Sequence, residues 1–123
     1  MTTMLPPVPA GPSQLGPLLQ LAAIPEEDIW LAAQKSARTR RAYQQDVAHF
    51  MRALGLTTPE QLRQVDHHAV IAWERMLREQ ENAAPSTVRR RLAALSSLFK
   101  HLVRHGLAAR NPVADVCRLL IRI

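Results

Sequence analysis

The sequence predicts an all-α protein, a compact bundle of four to five helices. Three observations predict it. No segment alternates apolar and polar residues with a period of two over strand length. Apolar residues recur instead at spacings of three and four, which places them on one side of a helix. Helix starts (Pro25, Thr58-Pro59, Asp66, Pro85-Ser86) and helix stops (Gly55, Gly106) punctuate the chain in the order a bundle requires.

Residues 1–24 carry Pro6, Pro7, Pro9, Pro12 and Pro17 with Gly11 and Gly16, and read as a flexible tail. Pro25 then opens a short helix. Glu26, Glu27 and Asp28 sit in its first turn, where acids suit the positive end of the helix dipole, and Ile29, Trp30 and Ala33 give it an apolar face. A second helix is expected from about Arg38 to Leu54. Its stripe is Tyr43, Val47, Phe50, Met51 and Leu54, with Arg38, Arg41, Gln45 and Arg52 on the other side. Thr58-Pro59-Glu60-Gln61 reads as a cap, a proline at the first helical position and one short turn. Asp66 caps a third main helix to about Gln80, with Val70, Trp73 and Leu77 inward. After a break at 82–85, Ser86 is expected to cap a helix to about His105. Val88, Leu92, Leu95, Phe99 and Leu102 form its inner stripe. Asn111-Pro112 reads as an extended exit.

Arg89, Arg90 and Arg91 fall in the first two turns of that last long helix, Arg90 opposite the apolar stripe. Cations at a helix N-terminus oppose the macrodipole, and an anionic partner would offset the cost; a phosphate backbone fits. The charge of the whole chain agrees. Residues 1–35 hold Lys35 against Glu26, Glu27 and Asp28, a net of −2, while residues 36–123 hold 15 basic and 7 acidic groups, a net of +8. Fourteen of the 16 basic residues are arginine, whose planar fork contacts phosphate and guanine in a bidentate manner.

Other chemistries find little support. Cys117 is the only cysteine, so no intrachain disulfide forms. Five histidines without further thiols suggest no metal site, and the adjacent His67-His68 point apart on a helix. No cofactor is expected. There is no Gly-rich phosphate loop and no Ser-His-Asp, Cys-His or paired-carboxylate arrangement. Tyr43 lies on an apolar stripe, which assigns it to packing and not to nucleophilic attack. No apolar run reaches the ~20 residues of a membrane span and no signal peptide is apparent, so a cytoplasmic location and no membrane partner are expected.

Three motifs carry a family resemblance. Thr39-Arg40-Arg41-Ala42-Tyr43-Gln44-Gln45-Asp46-Val47 resembles the T-x-x-x-Y-x-x-D-L helix of tyrosine recombinases, the phage integrase family. Ser86-Thr87-Val88-Arg89-Arg90-Arg91-Leu92-Ala93-Ala94-Leu95, followed by Leu98-Phe99, is similar to that family's S-x-T-x-x-R-R-L-S-A-L-R-x-F helix. Gly106 and then Asn111-Pro112 resemble the G…NP that precedes its catalytic domain. The likeness covers about residues 26–116, the N-terminal core-binding or SAM-like domain, in the style of Xer-type recombinases. Ser96 stands where relatives often carry a basic residue.

The resemblance implies a half-clamp on duplex DNA, in which the helices matching 38–54 and 86–105 cross the major groove. Arg38, Thr39, Arg41 and Gln45 map onto one contact region and Ser86, Thr87, Arg89, Arg90 and Lys100 onto the other. Residues 25–113 are expected to form this domain, with 114–123 beginning a linker to a catalytic domain that the chain does not contain. The chain by itself is therefore expected to bind DNA without cutting it, and no residue takes a catalytic role. The segment near 26–35 resembles the part that touches another protomer in the synaptic complex. Two further readings remain open: a helix-turn-helix regulator around Leu54-Gly55-Leu56-Thr57, and a helical protein-interaction module anchored by Trp30 and Trp73.

Overall fold

The computed structural model describes residues 24–121, of which 117–121 are described in backbone only. The expected proline-rich tail lies outside the described residues. Six α-helices follow one another without a strand among them: α1 (Glu26–Ala32), α2 (Ala37–Leu54), α3 (Pro59–Arg63), α4 (His67–Arg75), α5 (Pro85–Arg104) and α6 (Pro112–Ile121). The all-α bundle expected from the sequence is the observed architecture.

The two long helices, α2 and α5, pack against each other and form the centre of the molecule. Phe50 of α2 and Val88, Leu95, Leu98, Phe99 and Leu102 of α5 are buried there, joined from α4 by Val70 and Trp73. Burying a side chain of this size contributes about 1.5–3 kcal/mol, so this one cluster supplies much of the drive to fold. The α1 helix lies across both long helices. Its Trp30 ring stacks on Tyr43 of α2 with centroids 5.6 Å apart, and its indole N–H donates to Ser97 Oγ of α5 at 3.0 Å. Ile29 and Ala33, expected inward, are exposed; the helix turns Trp30 and Leu31 to the core instead.

Most boundaries obey the local chemistry that announced them. Ser36 accepts from the Thr39 amide at 3.0 Å and starts α2. Gly55, at φ 69°, ends it in the left-handed region, and the Leu56 amide reaches back to the Met51 carbonyl at 2.8 Å. Thr58 and Gln61 form a reciprocal capping box. Asp66 accepts from the amides of His68 and Ala69.

Three expectations need correction. Ser86 does not cap α5. The helix begins one residue earlier, at Pro85, after Ala84 in an extended conformation with no side-chain cap; proline at the first helical position has no amide to satisfy. Asn111-Pro112 is not an extended exit but the start of α6. Asn111 Oδ1 accepts from the Val113 amide at 3.0 Å, Pro112 occupies the first turn, and Val113 and Val116 enter the core. Finally, the helix from Asp66 does reach Gln80, but Met76–Gln80 form a π turn. It ends at Asn82, whose φ of 53° is left-handed, with the Ala83 amide bonded to the Leu77 carbonyl at 2.8 Å. The wider turn keeps Leu77 fully buried while Glu81 turns back toward His49 and Arg91.

Candidate nucleic-acid interface

Arg38, Arg41, Gln45 and Arg52 are all exposed on α2. Their spacings of three, four and seven place them in one stripe, opposite the stripe that Val47 and Phe50 turn to the core. On α5 the exposed residues Ser86, Arg89, Ala93, Lys100 and Arg104 form a second stripe at spacings of three, four, seven and four. The α5 sequence holds no acidic residue, and in α2 the single acid, Asp46, is buried. Arg38, Arg41, Arg89 and Lys100 pair with no carboxylate among the described residues. Both stripes face away from the shared core, on either side of the seam where α2 meets α5.

That seam is occupied by a charge network. Arg90 Nη2 donates to Asp46 Oδ1 at 2.7 Å. Arg91 Nε lies 3.6 Å from the same oxygen, and Arg91 Nη1 lies 3.6 Å from Glu81 Oε1. His49 Nε2 meets the other Glu81 oxygen at 2.8 Å, and His49 Nδ1 accepts from the Trp73 indole N–H at 2.9 Å. Because that N–H can only donate, His49 Nδ1 carries no proton in this arrangement. Two arginines share one buried aspartate here, so the seam keeps a surplus of positive charge. Glu81 and His49 then extend the network down to the core at Trp73.

The sequence-derived site residues fall into distinct groups. Arg38, Arg41, Gln45, Arg89 and Lys100 stand outward as expected. Arg90 does not reach outward alone; one nitrogen is held by Asp46 while half of the side chain stays in solvent. Thr39 is part of the α2 cap, its amide and hydroxyl both bonded to Ser36. Ser86 is exposed without a capping role, and Thr87 is half-buried beside it. Ser96, where a basic residue was noted as missing, accepts from Asn111 Nδ2 at 3.1 Å and ties α5 to α6. Sequence reasoning passed over Arg104 as a member of the α5 stripe; the periodicity from Arg89 through Lys100 was the available signal.

The same geometry bears on the two other readings. The α3 helix after Leu54-Gly55-Leu56-Thr57 spans five residues, less than two turns and too short to lie along a groove. Trp30 and Trp73 are 5% and 0% exposed, so neither is presented to a protein partner. No helix among the described residues is long and apolar enough to cross a membrane.

Elsewhere, two features were not foreseen. Glu27 receives two parallel hydrogen bonds from Arg63, at 2.8 and 2.9 Å, which join α1 to α3; the carboxylate raises the Arg63 pKa above its ordinary value. Glu26 meets His101 and His105 of α5, with donor atoms within 4.8 Å of one another. Seventy-five residues separate Glu26 from His101 along the chain, and no local pattern links them.

Comparison with curated proteins and with solved structures returns no match. Comparison with protein families returns one over residues 26–106, from the start of α1 to the glycine that ends α5. It spans well over half of the chain and includes both long helices with their arginine stripes. By that match the chain belongs to the family described as the phage integrase N-terminal SAM-like domain, a family that implies DNA binding.

Proposed function

We propose that this chain binds duplex DNA as the N-terminal half-clamp of a site-specific tyrosine recombinase, serving DNA integration and recombination together with a catalytic domain. The observation that carries this reading is the pair of outward stripes. Arg38, Arg41 and Gln45 on α2, and Arg89, Lys100 and Arg104 on α5, flank one seam without an acidic residue among them. Cations spaced along two helices beside a shared seam suit the phosphates on either side of a major groove, while Gln45 and Arg90 near the seam are placed to reach base edges. Other protomers of a synaptic complex are the second partner in this reading, with α1 at the contact.

Phosphate contacts set affinity and register, and base contacts set sequence choice. Alone, such a domain covers one face of the duplex, and non-specific affinity falls at about 10⁻⁴–10⁻⁶ M at physiological salt. A fluorescence anisotropy titration of the full chain with a short labelled duplex, repeated across salt concentrations, tests the reading. Affinity that falls steeply and linearly on a logarithmic salt scale supports it; no binding at low salt, or binding indifferent to salt, overturns it.

A further inference from the structure

We infer that Glu26, His101 and His105 form a binding site for a divalent transition-metal cation of the zinc class, one that fastens α1 to the C-terminal end of α5. The inference is independent of DNA binding. His101 and His105 are four residues apart and therefore share one face of α5, the spacing with which paired histidines on a helix hold zinc. Their rings lie together, with centroids 4.4 Å apart. Glu26, from the first turn of α1, completes the set: its Oε1 is 2.7 Å from His101 Nε2 and 4.0 Å from His105 Nε2.

The distances suit a metal. Zinc–nitrogen and zinc–oxygen bonds of about 2.0–2.2 Å at tetrahedral angles place neighbouring donor atoms roughly 3.3 Å apart. The two observed separations lie on either side of that value, so small side-chain rotations bring all three donors into range without moving either helix. Burial is graded as a three-ligand site requires. His101 is 14% exposed, Glu26 28% and His105 45%, which leaves the His105 side open for water to take the fourth position. The carbonyl end of α5 adds a partial negative charge next to the two rings. On binding, the metal replaces the hydrogen bond between His101 and Glu26: a proton on His101 Nε2 leaves to solvent, and nitrogen and carboxylate each donate a lone pair to the cation. Two imidazoles and a carboxylate favour zinc, cobalt or nickel over magnesium or calcium, which take oxygen ligands.

The consequence falls on α1, a helix of seven residues. Metal at this point would cross-link it to α5 and raise stability by mass action.

The test uses the full chain without a histidine tag. Cobalt(II) is titrated and followed by visible absorption, and zinc affinity is then read by competition. One equivalent is expected, with the intense visible bands of a tetrahedral cobalt site. His105→Gln, a substitution at a half-exposed position that leaves the Glu26–His101 hydrogen bond intact, is expected to weaken zinc binding by roughly tenfold or more while leaving the metal-free melting temperature unchanged. A His67→Gln/His68→Gln double variant controls for the other histidine pair and is expected to bind as the parent does. Absence of saturable binding below ~1 mM zinc, equal affinity in His105→Gln, or loss confined to the His67/His68 variant would each overturn the assignment.

Discussion

Arg90 Nη2 and Asp46 Oδ1 meet at 2.7 Å across the seam between α5 and α2, and the two partners differ sharply in exposure: the aspartate side chain is 2% exposed and the arginine 51%. The buried carboxylate depends on the arginine for its one short hydrogen bond, since its other oxygen has no partner within the protein. The arginine keeps its remaining donors in solvent. One bond therefore serves two ends: it satisfies an interior charge and it fixes the direction of a guanidinium at the surface.

Arg90→Ala is accordingly expected to lower both stability and DNA affinity. Losing the bond to a buried carboxylate costs about 1–3 kcal/mol. A thermodynamic cycle with Asp46→Asn, measured by urea unfolding, should show coupling between the two positions. Independent effects of the two substitutions would mean that the contact carries no energy.

Arg89→Ala should separate the two properties. Arg89 is exposed and pairs with no carboxylate among the described residues. The expected result is an unchanged melting temperature with weaker DNA binding and a salt slope reduced by about one. Parent-like binding across the salt series would remove Arg89 from the interface.

The fork between Arg63 and Glu27 anchors α1 to α3, and both side chains are mostly buried, at 18% and 13% exposed. Glu27→Ala should destabilise the protein by about 1.5–3 kcal/mol, and Arg63→Lys should lose much of the same energy, because an ammonium cannot make two parallel bonds. Chemical denaturation followed by tryptophan fluorescence reads both, since Trp30 lies on the helix that is released.

Asp66 has an acid signature. Its carboxyl is held below the ordinary carboxylate range by the hydrogen bond with the His68 side chain, and further by the amides of Ala69 and His68. A carboxylate whose folded pKa is depressed stabilises the native state above its unfolded pKa of about 3.9, and that stabilisation fades as pH falls through the folded value. Melting temperature below about pH 4 should therefore fall less steeply in Asp66→Ala than in the parent. Parallel profiles would show that the cap does not titrate with folding.

Asn111 joins two helices, donating to Ser96 of α5 and accepting from the first turn of α6. Asn111→Ala removes both and is expected to cost about 1–2 kcal/mol, with early exchange of the Val113 and Ala114 amides. Asn111→Asp keeps the acceptor and should recover the cap but not the bond to Ser96. Equal loss in both variants would place the energy in the Ser96 contact alone.

Elements with long, regular stripes were the most legible in the sequence. Tyr43 to Leu54 and Val88 to Leu102 define the inner faces of α2 and α5, and those faces in turn assign Arg38, Arg41 and Arg89 to the outside. The reading failed where one dipeptide serves two structures. Asn111-Pro112 suits an extended exit, but it equally supplies an N-cap and a proline at the first helical position, and only the fit of Val113 and Val116 into the core decides between them. It failed again where partners lie far apart along the chain. The hold of Asp46 on Arg90, the fork of Arg63 on Glu27 and the approach of Glu26 to His101 have no local periodicity to reveal them.

The π turn at Met76–Gln80 amounts to one residue more than a regular helix would use over the same rise. Deleting a single residue within it should let the segment wind as ordinary α-helix, turning everything downstream by about 100°. Glu81 would then swing off His49 and Arg91, and the loop into Pro85 would have to close from a new angle. Length at this point is thus a constraint separate from composition: polar substitutions between Arg78 and Gln80 should be absorbed, while a one-codon deletion there should unsettle how α5 begins and how the arginines of its first turns are aimed.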